Sequence, residues 1–146
     1  MAGLSASVEN SLLLLIFNAT TWANYAVNAT ASPETTMTWT LNTADPTSAG
    51  AANASEIAYG SYARVTTNRA SGAGGMTVTT NSCSPQANVS FPQSSAGTGT
   101  ATNFTCGKSG GGASIPVYYG TVTPSILVNS TGITPILTTA TAMTLT

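Results

Sequence analysis

Met37-Thr38-Trp39-Thr40-Leu41 is the stretch on which the fold turns. Apolar and hydroxyl side chains alternate there residue by residue, and a period of two places them on opposite faces of a half-buried β-strand. The same texture recurs downstream. Thr100–Cys106 alternates with Thr102, Phe104 and Cys106 on one side, and Ile115, Val117 and Tyr119 face one way before Gly120. Shorter strands are expected at 56–59, 62–68, 76–80, 89–91, 126–128, 136–137 and 141–145. Turn signals separate them, among them Ala44-Asp45-Pro46, the glycine-containing 70–75 and 108–112 segments, and Pro92. Short strands spaced about ten residues apart predict a mainly β chain, an antiparallel β-sandwich or barrel-like domain over residues 33–146. Thr is the chief strand filler. It is β-branched, which suits a pleated strand, and its hydroxyl is polar without charge.

Upstream of Pro33 the pattern changes to that of a helix. Leu4, Val8, Leu12, Leu15, Ile16 and Ala19 recur at spacings of three and four, the signature of one helical face. Ser5 or Ser7 can cap the start, and Glu9 sits in the first turn where the helix dipole favours an acid. Leu13, Leu14 and Phe17 widen the apolar stripe, so the helix needs cover on more than one side. Residues 1–32 are therefore expected to form an N-terminal α-helical arm. Within it Leu4, Val8, Leu12, Leu15, Ile16, Phe17 and Trp22 are the candidate interface residues. The stretch from Asn18 to Asn28, rich in Asn and Thr, either extends the helix or breaks it.

Composition narrows the chemistry. The chain has 146 residues, three Lys and Arg, four Asp and Glu, and no His, for a net charge of −1. Charged residues make up 5% of it, against roughly 25% in ordinary soluble proteins. Three cations cannot neutralise a run of phosphates, which argues against nucleic-acid binding. The acid and base inventory is too sparse for most catalysis, and without His a Cys/His zinc site is excluded. No cofactor or metal is expected. The apolar run Leu12–Phe17 has only Glu9 as a charge before it, which disfavours a signal peptide, and it falls short of the about 20 residues a membrane span needs. Cys83 and Cys106 read more readily as small buried hydrophobes than as a disulfide.

Three patterns that resemble functional motifs are weak here. Gly107-Lys108-Ser109 lacks the upstream glycine and the following helix of a phosphate-binding loop. The Asn-X-Ser/Thr triplets at Asn18, Asn28, Asn53, Asn88, Asn103 and Asn129 are what an Asn-, Ser- and Thr-rich composition supplies. Aromatics such as Tyr59 and Tyr62 at strand positions more often pack than stack on sugars. The acids have a simpler use. Asp45, Glu56, Arg64 and Arg69 lie close enough in sequence to form a structural ion pair that orders a loop.

Several segments taken together resemble a family of small tailed-bacteriophage virion proteins, described as head decoration or tail-fibre proteins. They are Leu15–Thr20, Leu41–Pro46 with Gly50, Ser55–Tyr59, Tyr62–Val65, Asn81-Ser82 with Ser84-Pro85, Phe91-Pro92, Gly99–Thr102, Gly107-Lys108 with Gly110–Gly112, Gly120–Pro124 and Thr134-Pro135. Order and spacing carry the likeness, over about Leu12 to Leu145; no single motif is specific to it. The resemblance implies a capsid decoration, or cement, protein on the capsid surface. Such a protein would bridge capsomers of the major capsid protein, as a homotrimer, without nucleic acid or membrane. The alternative it implies is a tail-fibre or receptor-binding protein, for which host surface glycan would be the partner. Cys83 and Cys106 depart from the pattern, as does the scarcity of charge.

Overall fold

In the computed structural model, residues 5–23, 33–47, 51–108 and 116–145 are described. They form one helix, α1 (Ala6–Asn18), and nine strands: β1 (Thr36–Asn42), β2 (Val65–Asn68), β3 (Met76–Thr79), β4 (Ser82–Pro85), β5 (Val89–Ser90), β6 (Gly99–Lys108), β7 (Pro116–Val128), β8 (Ile136–Leu137) and β9 (Met143–Thr144). The strands make three sheets, in the orders β2-β1-β6-β7, β3-β4-β9 and β5-β8. The β1–β6, β6–β7, β3–β4, β4–β9 and β5–β8 ladders are all antiparallel. The chain is thus mainly β with an N-terminal helix, as the alternation predicts.

Two compact units interleave along the chain. The first comprises residues 1–36, 67–88 and 138–146, the second residues 37–66 and 89–137. In the first, α1 lies against β3 and β4. Leu13 and Phe17 of the helix are buried there, as are Met76, Cys83 and Met143. The helix begins after Ser5, whose backbone is extended and whose carbonyl accepts the amides of Val8 and Glu9 at 2.9 and 3.0 Å. Neither Ser5 nor Ser7 caps it by side chain; their hydroxyls lie 3.2 Å from each other. The helix stops at Asn18 instead of running on. Ala19 turns left-handed at φ 53°, and Leu14 O accepts the amides of Ala19 and Thr20.

The second unit is built on β1, which is buried on both faces rather than half-buried. On one face Trp39 pairs with Cys106 and Leu41 with Phe104, and the rings of Trp39 and Phe104 stack at 5.8 Å. On the other face the hydroxyls of Thr40 and Thr105 meet at 2.6 Å, and Thr40 donates to Asn42 Oδ1 at 2.9 Å. Asn42 Nδ2 donates in turn to the carbonyls of Ala52 and Ala54 at 3.1 and 2.7 Å. Thr40, Asn42 and Thr105 are fully buried, so each needs these partners. Hydroxyl and amide groups here do inside the sheet what the sequence assigns to its wet face.

Three strand boundaries differ from expectation. Residues 56–64 hold no strand; Glu56 makes only an isolated bridge to Asn42, and Ile57 donates its amide to Leu41 O at 2.9 Å. β4 is an added strand, its Ser- and Pro-containing sequence offering little periodicity. β7 is continuous through Gly120 and Pro124 where two short strands are expected. It lies at the end of its sheet order, and an edge tolerates a residue without an amide proton. Between Ala101↔Ile126 and Asn103↔Thr121, β6 advances two residues while β7 advances five, so β7 bulges there.

Candidate interaction surface

Of the four residues expected to form an ion pair, the structure brings two together. Arg64 grips Glu56 through two contacts, Nε to Oε1 at 3.0 Å and a terminal nitrogen to Oε2 at 2.8 Å. Tyr62 donates its hydroxyl to the same Oε1 at 2.8 Å and accepts the Leu41 amide at 3.1 Å. Tyr62 also stacks on Phe91 at 6.1 Å and meets Tyr59 edge-on at 5.3 Å. Burial pushes the Tyr62 phenol well above its ordinary pKa; the Leu41 amide opposes this and the Glu56 carboxylate adds to it. The hydrogen bond to Glu56 holds the Arg64 guanidinium above its own ordinary value, against some desolvation. A hollow of 540 Å³ opens beside this cluster, lined among others by Asn53, Glu56, Tyr59, Tyr62 and Arg64.

Asp45 and Arg69 act elsewhere. Asp45 is exposed and accepts the Thr47 amide at 2.8 Å, closing a turn in which Thr47 is left-handed at φ 60°. The reason is local: an Asp before Pro can reach the amide two residues on. Arg69 donates to the carbonyls of Leu15, Ile16 and Glu34. Leu15 and Ile16 belong to the last turn of α1, where carbonyls lack helical partners and a cation is favoured. The helix has no basic residue in that turn, so Arg69 supplies one from a distant part of the sequence.

The helical interface candidates are spread over more than one environment. The buried positions of α1 are Glu9, Leu13 and Phe17, spaced by four. Leu13 lies about 100° around the helix from Leu12, so the covered face is turned from the one the sequence indicates. Val8, Leu12, Leu15, Ile16 and Trp22 are half-buried. Phe17 is fully buried and packs in the core of the first unit. Leu4 lies outside the described residues.

The most exposed apolar surface is elsewhere, on β7. The large apolar side chains exposed among the described residues are Val117, Tyr119, Leu127 and Ile136, and three of these four are on that one strand. Odd-numbered β7 residues from Val117 to Leu127 are exposed, while the even ones are half-buried except Pro124 in the bulge. No residue of β7 is charged. A hollow of 330 Å³ is lined by Val117, Tyr118 and Tyr119. The alternation at 115–119 and the apolar 126–128 stretch predict strands. That β7 is an edge, and hence exposed, is a property of strand order.

Cys83 and Cys106 are buried thiols with no disulfide between them, and burial raises the Cys83 thiol to about 12. Among the described residues no group of three or more His, Cys, Asp or Glu side chains could hold a metal ion, and no helix is long and apolar enough to cross a membrane. No protein family, curated protein or solved structure matches the chain.

Proposed function

We propose that this chain is a structural protein of a tailed-bacteriophage virion, a capsid decoration protein that bridges capsomers of the major capsid protein. One observation carries the reading beyond the sequence resemblance: the few charges are turned inward. All seven charged residues are described. Glu9 is buried, Glu34, Glu56, Arg64 and Arg69 are half-buried, and only Asp45 and Lys108 are exposed. What faces outward is hydroxyl, amide and apolar. A surface of that kind suits permanent contact with neighbouring protein, because charges at the centre of an interface cost desolvation that pairing rarely recovers. It suits a freely diffusing protein poorly, since net charge near zero promotes association.

A tail-fibre or receptor-binding role is the second reading, favoured by the 540 Å³ hollow beside the Glu56–Arg64 pair, which offers donors, acceptors and tyrosine to a host glycan. Location separates the two. Gold-labelled antibody against the chain, imaged on purified particles by electron microscopy, should decorate the whole head in many copies. Label confined to the tail tip would favour the fibre, and particles without label would overturn both.

A further inference from the structure

Residues 53–64 hold no strand, yet the second unit fixes them at several points. Ile57 donates its amide to Leu41 O at 2.9 Å. Gly60 donates to Ala96 O at 2.7 Å, and Ser95 donates back to Gly60 O at 3.1 Å. The Tyr59 hydroxyl donates to Pro92 O at 2.8 Å, and that of Ser61 to Ser95 Oγ at 2.7 Å. The 540 Å³ hollow opens on this segment. Its volume falls within the ~300–1,000 Å³ of small-ligand sites, and walls already fixed spare a ligand the cost of ordering them.

Two charges line the hollow, Glu56 and Arg64, and they cancel in a two-point grip. An entering anion has to draw Arg64 from Glu56, and an entering cation has to draw Glu56 from Arg64. Either leaves a half-buried charge without its partner, which is costly. A neutral ligand leaves the pair intact. What the site still offers is specific. Glu56 Oε1 accepts from Arg64 and Tyr62, whereas Oε2 accepts from Arg64 and keeps a lone pair for a further donor. Asn53 stands exposed on the rim, and its carboxamide both donates and accepts. Exposed Ala58 and Ala63 add methyl groups to the wall. An uncharged pyranose matches this set: its hydroxyls donate and accept, and its ring C–H groups form a small apolar patch. We infer that the hollow binds a neutral sugar residue and rejects acidic and amino sugars; this rests on the second reading above, in which the hollow receives a glycan.

Amide chemical shifts of the isotope-labelled full chain test it, with circular dichroism on every variant. Among the methyl glycosides of galactose, glucose and mannose, and N-acetylglucosamine, at least one should shift amides within residues 53–64 in a saturable way. Glucuronate and glucosamine, at equal ionic strength, should bind at least about tenfold more weakly. Ala63→Trp fills the hollow while leaving the Glu56–Arg64 pair in place, and should abolish the shifts. Asn53→Ala should weaken binding several-fold. Thr139→Trp, at an exposed site in the first unit, should change nothing. No saturable shift with any neutral sugar, equal binding of the charged ones, or an equal response to the uncharged peptide acetyl-trialanine amide would each overturn the proposal. So would undiminished binding in a folded Ala63→Trp or in Asn53→Ala. Label position on the particle separates this site from the fibre reading. Sugar binding with label over the head keeps the neutral-sugar site and removes the fibre, and label at the tail tip without binding does the reverse.

Discussion

Arg69 closes the end of a helix that lies 53 residues before it: its guanidinium donates to the main-chain carbonyl of Ile16, and beside it to that of Leu15. The same residue also reaches Glu34 O at 3.1 Å, and its own amide donates to Thr35 O at 2.8 Å. One side chain thus fixes where α1 ends and where the chain next becomes strand.

Arg69→Ala should therefore lower the unfolding free energy by about 2–3 kcal/mol, the scale of losing hydrogen bonds to a charged donor and leaving carbonyls without partners. Arg69→Lys should recover only part of this, because an ammonium lacks the fork that spans adjacent carbonyls. Urea unfolding curves measure both. An Arg69→Ala midpoint equal to that of the unaltered chain would remove Arg69 from this role.

Ala19 holds a left-handed backbone that its Cβ disfavours. Ala19→Gly should stabilise the protein by about 1 kcal/mol, seen as a higher thermal midpoint. A lower midpoint would mean that the Ala19 side chain contributes more by contact than its backbone costs.

Gly120 faces Phe104 across the β6–β7 ladder, and a Cβ at Gly120 would come within 2.9 Å of the Phe104 ring. Phe104 stacks on fully buried Trp39, so the ring has little room to retreat. Gly120→Ala should cost about 1–3 kcal/mol, the usual range for overpacking. The near-ultraviolet circular dichroism of Trp39 should change with it, and a variant that matches the parent in both stability and spectrum would show that Phe104 yields freely.

Alkaline pH should destabilise the fold, and the sign follows from the buried phenol and thiol. Folding raises the pKa of Tyr62 above its ordinary 10 and that of Cys83 from 9 to about 12. The unfolded chain therefore loses these protons first. The stability they contribute is complete below pH 9 and falls as pH rises from there, at up to about 1.4 kcal/mol per pH unit for each group. Tyr62→Phe should flatten the slope above pH 10 while lowering stability at neutral pH, because Glu56 and the Leu41 amide lose a partner. Denaturant midpoints from pH 8 to 11 test this, and an unchanged alkaline slope would count against it.

The strands β1 and β6 were legible because alternation survives in them at full length, and the helix because its spacing is regular. The face of the helix was not. Leucines at 12, 13, 14 and 15 offer every direction, and only packing against β3 and β4 selects Leu13 with Phe17. Burial on both sides of β1 was hidden for a related reason. A threonine reads as a surface residue until a second hydroxyl is placed opposite it, and Thr105 stands 65 residues away. The Glu56–Arg64 pair was foreseeable from short separation and opposite charge. Arg69 on the α1 carbonyls was not, because its acceptors are main-chain atoms that carry no sequence signal.

The inward turn of the charges also bears on how fast this protein finds its neighbours. Association between charged surfaces is accelerated by long-range attraction and slows as salt screens it. A surface with Asp45 and Lys108 as its exposed charges has little such field to offer. Its encounters are governed by random collision and orientational search, in the range of about 10⁵–10⁷ M⁻¹s⁻¹. The capture rate should therefore stay nearly constant from dilute buffer to molar salt, so ionic conditions would barely alter the pace of assembly.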